Sequence, residues 1–160
     1  MSGNHQEIER KFLVRKDLWY AYDKPEGEIL QQGYLVSEPG KTVRLRVSPS
    51  CGYITIKGPA VNASRDEYEY PIPAADAREL LEKFVTRRIE KVRYRVDTAG
   101  KTWEIDEFFG ENEGLIIAEI ELSFPEEHFE KPDWIGEEVT EDHRYANSAL
   151  AEQPFSRWEL

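Results

Sequence analysis

A β-dominated α+β fold built on about eight antiparallel strands is what this sequence predicts, and three observations predict it. Charged and apolar residues alternate along most of the chain. Turn chemistry recurs at short intervals, in Pro39-Gly40, Ser48 to Gly52 and Ala99-Gly100. Only two segments carry strongly helical spacing. The 160 residues suit one domain, 1–160, and no repeat, Pro-rich linker or low-complexity run divides them.

The elements follow in chain order. Near Gln6–Val14, Glu7, Glu9 and Lys11 fall on one face of a strand and Ile8, Phe12 and Val14 on the other, because successive side chains point to opposite sides. Lys16 to Tyr20 reads as a helical turn that Asp17 can cap. A second strand near Leu30–Val36 contains Gly33-Tyr34. Near Thr42–Val47, Arg44 and Arg46 oppose Val43, Leu45 and Val47. Near Tyr53–Lys57, Thr55 and Lys57 oppose Ile54 and Ile56. Near Glu67–Ile72, Glu67 and Glu69 oppose Tyr68, Tyr70 and Ile72. A helix from about Pro73 to Val85 places Ala77, Leu80, Leu81 and Phe84 on one side. Near Arg88–Val96, Lys91, Arg93 and Arg95 oppose Val92, Tyr94 and Val96. Near Thr102–Phe108, Glu104 and Asp106 oppose Trp103 and Ile105. Near Leu115–Ser123, Glu119 and Glu121 oppose Ile116, Ala118, Ile120 and Leu122. A turn is expected at Pro125 to Phe129. A second helix is expected after Thr140, taken as an N-cap followed by Glu141 and Asp142, and ends before Pro154. The aromatic residues Trp103, Tyr68 and Tyr94 read as packing.

Composition narrows the function classes. The chain has 32 Asp and Glu against 21 Lys and Arg, a net charge of −11, which argues against general nucleic-acid binding. Aromatic content of 12% is too high for a disordered acidic tail. The longest apolar runs, such as Leu115 to Ala118, fall far short of the ~18 residues that span a bilayer. The stretch Met1 to Arg10 is polar and acidic, unlike a signal peptide. One cysteine, Cys51, excludes an intramolecular disulfide and multi-cysteine metal sites, and suits a cytoplasmic protein. A membrane is not an expected partner.

An antiparallel sheet with one solvated face yields such alternation without any function. Here, however, like charges occupy consecutive same-face positions, ~6.7 Å apart at ~3.3 Å rise per residue, where they gain nothing from each other. The signs are segregated by strand. Carboxylate pairs suit a divalent cation, and Arg or Lys pairs suit phosphate oxygens. Eight strands closed with the charged face inward leave room for one small ligand. Alternation by itself leaves open which face is inside.

The segment Glu7-Ile8-Glu9-Arg10-Lys11 matches the Glu-x-Glu-x-Lys signature of the CYTH domain, the triphosphate tunnel metalloenzymes. Arg44-Leu45-Arg46, Lys57, Glu67-Tyr68-Glu69, Lys91-Val92-Arg93, Glu104-Ile105-Asp106 and Glu119-Ile120-Glu121 follow in an order that resembles that family. Gly136 to Tyr145 is similar to the closing motif of its short bacterial members. The resemblance spans roughly Glu7 to Ala151. It implies a closed eight-stranded antiparallel tunnel with a charged interior and flanking helices. It also implies hydrolysis of inorganic triphosphate to diphosphate and phosphate with Mg²⁺ or Mn²⁺. Thiamine triphosphatase, adenylate cyclase, a non-catalytic polyphosphate or nucleotide binder and a plain acidic sheet module stay as alternatives, and either a monomer or a homodimer is compatible.

On that resemblance, Glu7 and Glu9, joined across the tunnel by Glu119 and Glu121, form the main metal site, and Glu104 with Asp106 a second. Lys11, Arg44, Arg46, Lys57, Lys91 and Arg93 clasp the phosphates, with Arg95 extending the row or standing at the rim. Lys91 orients or deprotonates the attacking water, a role for which Tyr34 competes. Glu67 and Glu69 hold basic residues by ion pairing. His143 stands where a lysine is expected in close bacterial relatives and receives no role. His5, His128 and Cys51 read as incidental.

Overall fold

The computed structural model describes residues 5–159; Met1–Asn4 of the polar N-terminal stretch, and Leu160, lie outside the described residues. The strands are β1 (Gln6–Val14), β2 (Glu28–Glu38), β3 (Lys41–Val47), β4 (Gly52–Lys57), β5 (Ser64–Ile72), β6 (Ile89–Thr98), β7 (Lys101–Phe108), β8 (Ile116–Glu121) and β9 (Ile135–Glu138). The helices are α1 (Lys16–Ala21), α2 (Ala74–Phe84) and α3 (Asn147–Glu152).

Neighbours run β5-β4-β3-β2-β6-β7-β8-β1, and β1 pairs again with β5, so eight antiparallel strands close into the expected barrel. The closing seam is short: Gln6, Glu7 and Ile8 lie opposite Asp66, Arg65 and Ser64. The rest of that edge of β1 is taken by β9, with Phe12 opposite Glu138 and Val14 opposite Ile135. This extra strand went unforeseen, since four residues reading Ile-Gly-Glu-Glu are too few for an alternation to register. Between β6 and β7 a two-residue turn places Ala99 at φ 50° and Gly100 at φ 76°, the left-handed pair that matches the twist of a hairpin.

Closure decides which face is inside: the charged rows line the lumen and the alternating apolar rows point outward. The outer face is covered in patches. Ile8, Phe12, Trp103, Ile105, Ala118 and Ile120 pack beneath Trp19 of α1, Trp134 and Phe129. Trp103 meets Phe12, Phe129 and Trp134 edge-on at 5.6, 5.7 and 6.1 Å, and Trp19 meets Trp134 at 5.0 Å. Across β2, β3 and β4, α2 buries Ala77 and Leu81 against Leu45 and Val47. Gly33 lets this helix sit close: a Cβ there would stand 2.3 Å from Val85 Cγ1.

A third cluster lies within one end of the barrel. The inward rows turn apolar there, from Lys11 to Leu13, from Lys91 to Ile89, from Asp106 to Phe108 and from Glu119 to Ile117, and Leu150 and Ala151 of α3 are buried among them. The C-terminal helix is thus an apolar stopper.

Several expectations are corrected. The second helix does not begin after Thr140. A 3-10 turn at His143–Tyr145 precedes α3, and the Thr140 hydroxyl accepts from the Lys11 backbone N–H at 3.0 Å instead of capping a helix. Phe84 is 65% exposed, since the packed side of α2 ends at Leu81. Tyr68, expected to pack, is also exposed, because no helix or strand among the described residues covers the outer face of β5 there, although the His5 ring stacks on it at 4.1 Å. No helix among the described residues is long and apolar enough to cross a membrane.

Candidate active site

Inside the barrel a cavity is lined by Glu9, Lys11, Tyr34, Thr42, Arg44, Arg46, Lys57, Arg65, Arg93 and Glu119, with Ala146, Asn147 and Ser148 closing one side. A larger groove lies outside the barrel, between Val61–Ser64 and Glu137–Arg144, and of the predicted site residues it touches none.

Register sets the electrostatics. Glu9 lies opposite Glu121, Lys11 opposite Glu119, and Glu104 opposite Glu119. Glu7, Glu9, Glu119 and Glu121 are therefore side by side on hydrogen-bonded neighbours, not joined across the tunnel as expected. The facing wall, from β3 and β4, presents Arg44, Arg46 and Lys57. The lumen thus has an acidic side and a basic side.

Most charges on both sides are paired. Lys57 Nζ lies 2.9 Å from Glu7 and 3.2 Å from Glu67, and Arg44 lies 3.7 Å from Glu69. Glu67 and Glu69 thus stand beside basic residues, as expected. Lys11 reaches Glu119 at 3.8 Å. Arg93 grips Asp106 with two hydrogen bonds of 2.8 and 2.9 Å, and Lys91 Nζ contacts the same carboxylate at 2.8 Å. Both oxygens of Asp106 are occupied by cations, and Asp106 does not line the cavity. Arg93 also reaches Glu104 at 3.3 Å, while Arg95 is shared between Glu28 and Glu104 at the more exposed end.

Two polar groups at the cavity have no direct hydrogen-bond partner among the described residues. The Glu9 carboxylate has no side-chain hydrogen bond or ion pair among the described residues, and Arg44 Nε is buried without an acceptor. Burial, with Glu119 and Glu7 beside it, pushes the Glu9 carboxyl up to about 8. Burial also raises Glu7 and Glu121. Burial opposes ionisation of Glu119 as well, but Lys11, Arg93 and Lys91 together outweigh it and hold that group down to about 2. Asp106 is likewise held well below the usual carboxylate range, against burial, by Arg93 and Lys91. On the basic side, burial with Arg44 and Arg93 nearby lowers Arg46 to about 9, and burial with Arg93 and Arg46 nearby lowers Lys91 to about 7. Like charges are gathered on each wall and held there by the fold, with the Glu9 carboxylate not directly bonded and one buried nitrogen of Arg44 without an acceptor.

Of the predicted phosphate-clasping residues, Lys11, Arg44, Arg46, Lys57 and Arg93 line the cavity. Lys91 stands behind it, its side chain wholly buried and bonded at 2.9 Å to Asn147 Oδ1. Tyr34 faces the lumen, with its phenol 3.5 Å from Gln32 Nε2. Of the predicted metal residues, Glu9 and Glu119 line the cavity. Glu7, Glu104 and Glu121 flank it, and no three His, Cys, Asp or Glu side chains among the described residues converge on one point.

Sequence reasoning missed Arg65, Thr42, Gln32 and Asn147. Arg65 was legible: it opens the inward row of Glu67 and Glu69 at the same period of two. The neutral amides carry no charge pattern, and Asn147 arrives from outside the sheet.

The family described as the CYTH domain matches residues 5–152. The inorganic triphosphatase of Acetivibrio thermocellus is 49% identical over 154 residues, covering 96% of this chain and 97% of that one. The inorganic triphosphatase of Nitrosomonas europaea is 38% identical over 153 residues, covering 91% and 96%. The crystal structure of the inorganic triphosphatase NE1496 superposes with a TM-score of 0.63 at 36% identity, over 91% of this chain and 97% of that one.

Proposed function

The chain belongs to the CYTH domain family, and on that premise we propose that it hydrolyses inorganic triphosphate to diphosphate and phosphate inside its barrel. The observation that carries this reading is the cavity lining. Six cations (Lys11, Arg44, Arg46, Lys57, Arg65 and Arg93) face one space beside Glu9 and Glu119, and Tyr34 is the one aromatic side chain there among the described residues. Such a lining addresses phosphate at both ends of a substrate and offers little to a nucleobase.

A triphosphate carries about four negative charges near neutral pH, and its transfer asks a protein mainly for alignment and charge stabilisation. The six cations supply both. Arg44 and Arg46, neighbours on one inward row, grip phosphate oxygens with their planar forks. A divalent cation fits the acidic wall, because the Glu9 carboxylate makes no direct side-chain hydrogen bond or ion pair among the described residues and Glu119 beside it is ionised. Two carboxylates beside a phosphate site would suit Mg²⁺ and, by similar chemistry, Mn²⁺, which take few protein ligands. Glu9 and Glu119 would hold the ion, with Glu7, Glu121 and Glu104 supporting them; bound there, it neutralises charge on the phosphate chain and lowers the pKa of a coordinated water. Asp106 instead anchors Lys91 and Arg93. Tyr34 orients the attacking water from the cavity wall, and Lys91 acts from behind that wall through Asn147; the water oxygen bonds to the terminal phosphorus as the bridging P–O bond breaks, the water gives up a proton, and diphosphate leaves. One domain, in the cytoplasm, performs this on a small-molecule substrate.

Phosphate release from a panel of triphosphates, with Mg²⁺ or Mn²⁺ and with chelator, tests the reading. Inorganic triphosphate should exceed ATP in kcat/KM by at least ~100-fold, a ~2.7 kcal/mol difference in transition-state stabilisation. Comparable values, full activity in chelator, or cyclic AMP as the main product would overturn it.

A further inference from the structure

Two neutral side chains connect cations that have no direct contact with each other. Gln32 is completely buried. Its Oε1 accepts from Arg46 Nε at 3.0 Å, and its Nε2 donates to Asn147 Oδ1 at 3.1 Å. The same Asn147 oxygen accepts from Lys91 Nζ at 2.9 Å, and Lys91 shares Asp106 with Arg93. An unbroken chain therefore runs Arg46, Gln32, Asn147, Lys91, Asp106, Arg93. Arg46 spends its Nε on Gln32, which leaves its two terminal nitrogens for the cavity. The amide orientations are fixed, since two donors share Asn147 Oδ1 and a flip of either amide would set donor against donor. Asn147 is the first residue of α3, so the seating of Leu150 in the barrel end and the aim of Lys91 and Arg46 are set by the same short helix.

We propose that Gln32 and Asn147 are positioning residues: Asn147 aims Lys91, and Gln32 aims Arg46 and ties it to α3. The proposal rests on the triphosphatase reading for its rate effects but not for its binding effects. Partners of this kind are worth ~10–100-fold when removed. Because both contacts of Asn147 fall on an acceptor oxygen, aspartate preserves them and alanine does not. Gln32 must donate and accept at once, so no carboxylate or apolar residue replaces it.

The test compares Asn147→Ala, Asn147→Asp, Gln32→Met and, as a control on the exposed side of the same helix, Glu152→Ala. Steady-state kinetics, calorimetric binding of inorganic triphosphate in chelator and thermal melting are measured for each. Asn147→Ala should lower kcat ~10–50-fold with KM changed by less than ~3-fold, and Asn147→Asp should recover most of that loss. Gln32→Met should weaken triphosphate binding ~10-fold, in KM and in Kd alike. An unchanged kcat in Asn147→Ala, Asn147→Asp as impaired as Asn147→Ala, or an unchanged Kd in Gln32→Met would each overturn the proposal. Should the wild type release no phosphate, the triphosphatase reading fails by itself, and the Kd of Gln32→Met still decides the positioning claim. Should Gln32→Met not fold, the contrast between the two Asn147 variants decides it.

Discussion

Replacing Glu9 by glutamine should make the metal-free protein more stable while removing its metal site. The Glu9 carboxyl is pushed up to about 8 from its ordinary 4.5, first by burial and then by Glu119 and Glu7. A folded-state pKa above the unfolded one means that the folded protein holds a proton the unfolded chain has released. The associated stability is fully present below about 4.5 and is lost as pH rises through about 8. At ~1.4 kcal/mol per pH unit, that interval sets a ceiling of about 5 kcal/mol. The realised figure is smaller, since Lys57 is raised by Glu9 and loses that partner in the variant. Taking half the ceiling, Glu9→Gln should gain about 2–3 kcal/mol at pH 8.5 in chelator, or roughly 5–10 °C in Tm for a chain of this length. The gain should shrink steadily toward pH 5, where the wild-type carboxyl is itself protonated. Urea unfolding across pH 5 to 9 measures it, and added Mn²⁺ should stabilise only the wild type. A gain that is independent of pH, or a loss at pH 8.5, would refute the idea of an unneutralised carboxylate at Glu9.

Arg44→Ala and Arg46→Ala should each weaken triphosphate binding by about 1.5–3 kcal/mol, the scale of a charged hydrogen bond, as read by calorimetry. Arg65→Ala should behave similarly, and binding as tight as wild type would leave Arg65 only its 4.0 Å ion pair with Glu7. Gly33→Ala should cost about 1–3 kcal/mol by forcing a methyl group against Val85 and Leu81; adding Val85→Ala should restore part of the lost melting temperature. Lys91→Arg should alter the pH–rate profile, because arginine cannot release a proton in the neutral range; an identical profile and rate would remove Lys91 from the chemistry.

The barrel was legible because a period of two is a strong local signal, and charge on one face of seven strands names that face as special. Which strands are neighbours is a different kind of information. Nothing local in Glu7-Ile8-Glu9 says that β8 lies alongside, so the two acidic pairs were expected to face each other across the lumen. Asp106 was grouped with Glu104 by spacing. Its actual partners, Arg93 and Lys91, come from the register of β6 against β7. The apolar ends of the inward rows, Leu13, Ile89, Phe108 and Ile117, were also in the pattern. They acquire meaning only once α3 is seen to fill that end. Tyr68 was read as packing from residue type, whereas burial depends on what arrives to cover it, and with the His5 ring stacked on it the side chain stays exposed.

The way β1 is shared among three partners has a consequence for synthesis. Its first residues pair with β5, its middle with β8 and its last with β9, and Arg10 is tied to Glu138 across 128 positions. A chain emerging from the ribosome presents this strand before its partners and satisfies it only after they follow. Until β8 and β9 have cleared the exit tunnel, β1 and β5 expose unpaired backbone edges, with the apolar outer rows of the growing sheet uncovered by Trp134 and Phe129. Non-local pairing of this kind is slow and leaves edges open to other chains. The charged inner row offers partial protection in the meantime: Glu7, Glu9 and Lys11 repel a like strand that tries to pair with β1 in register.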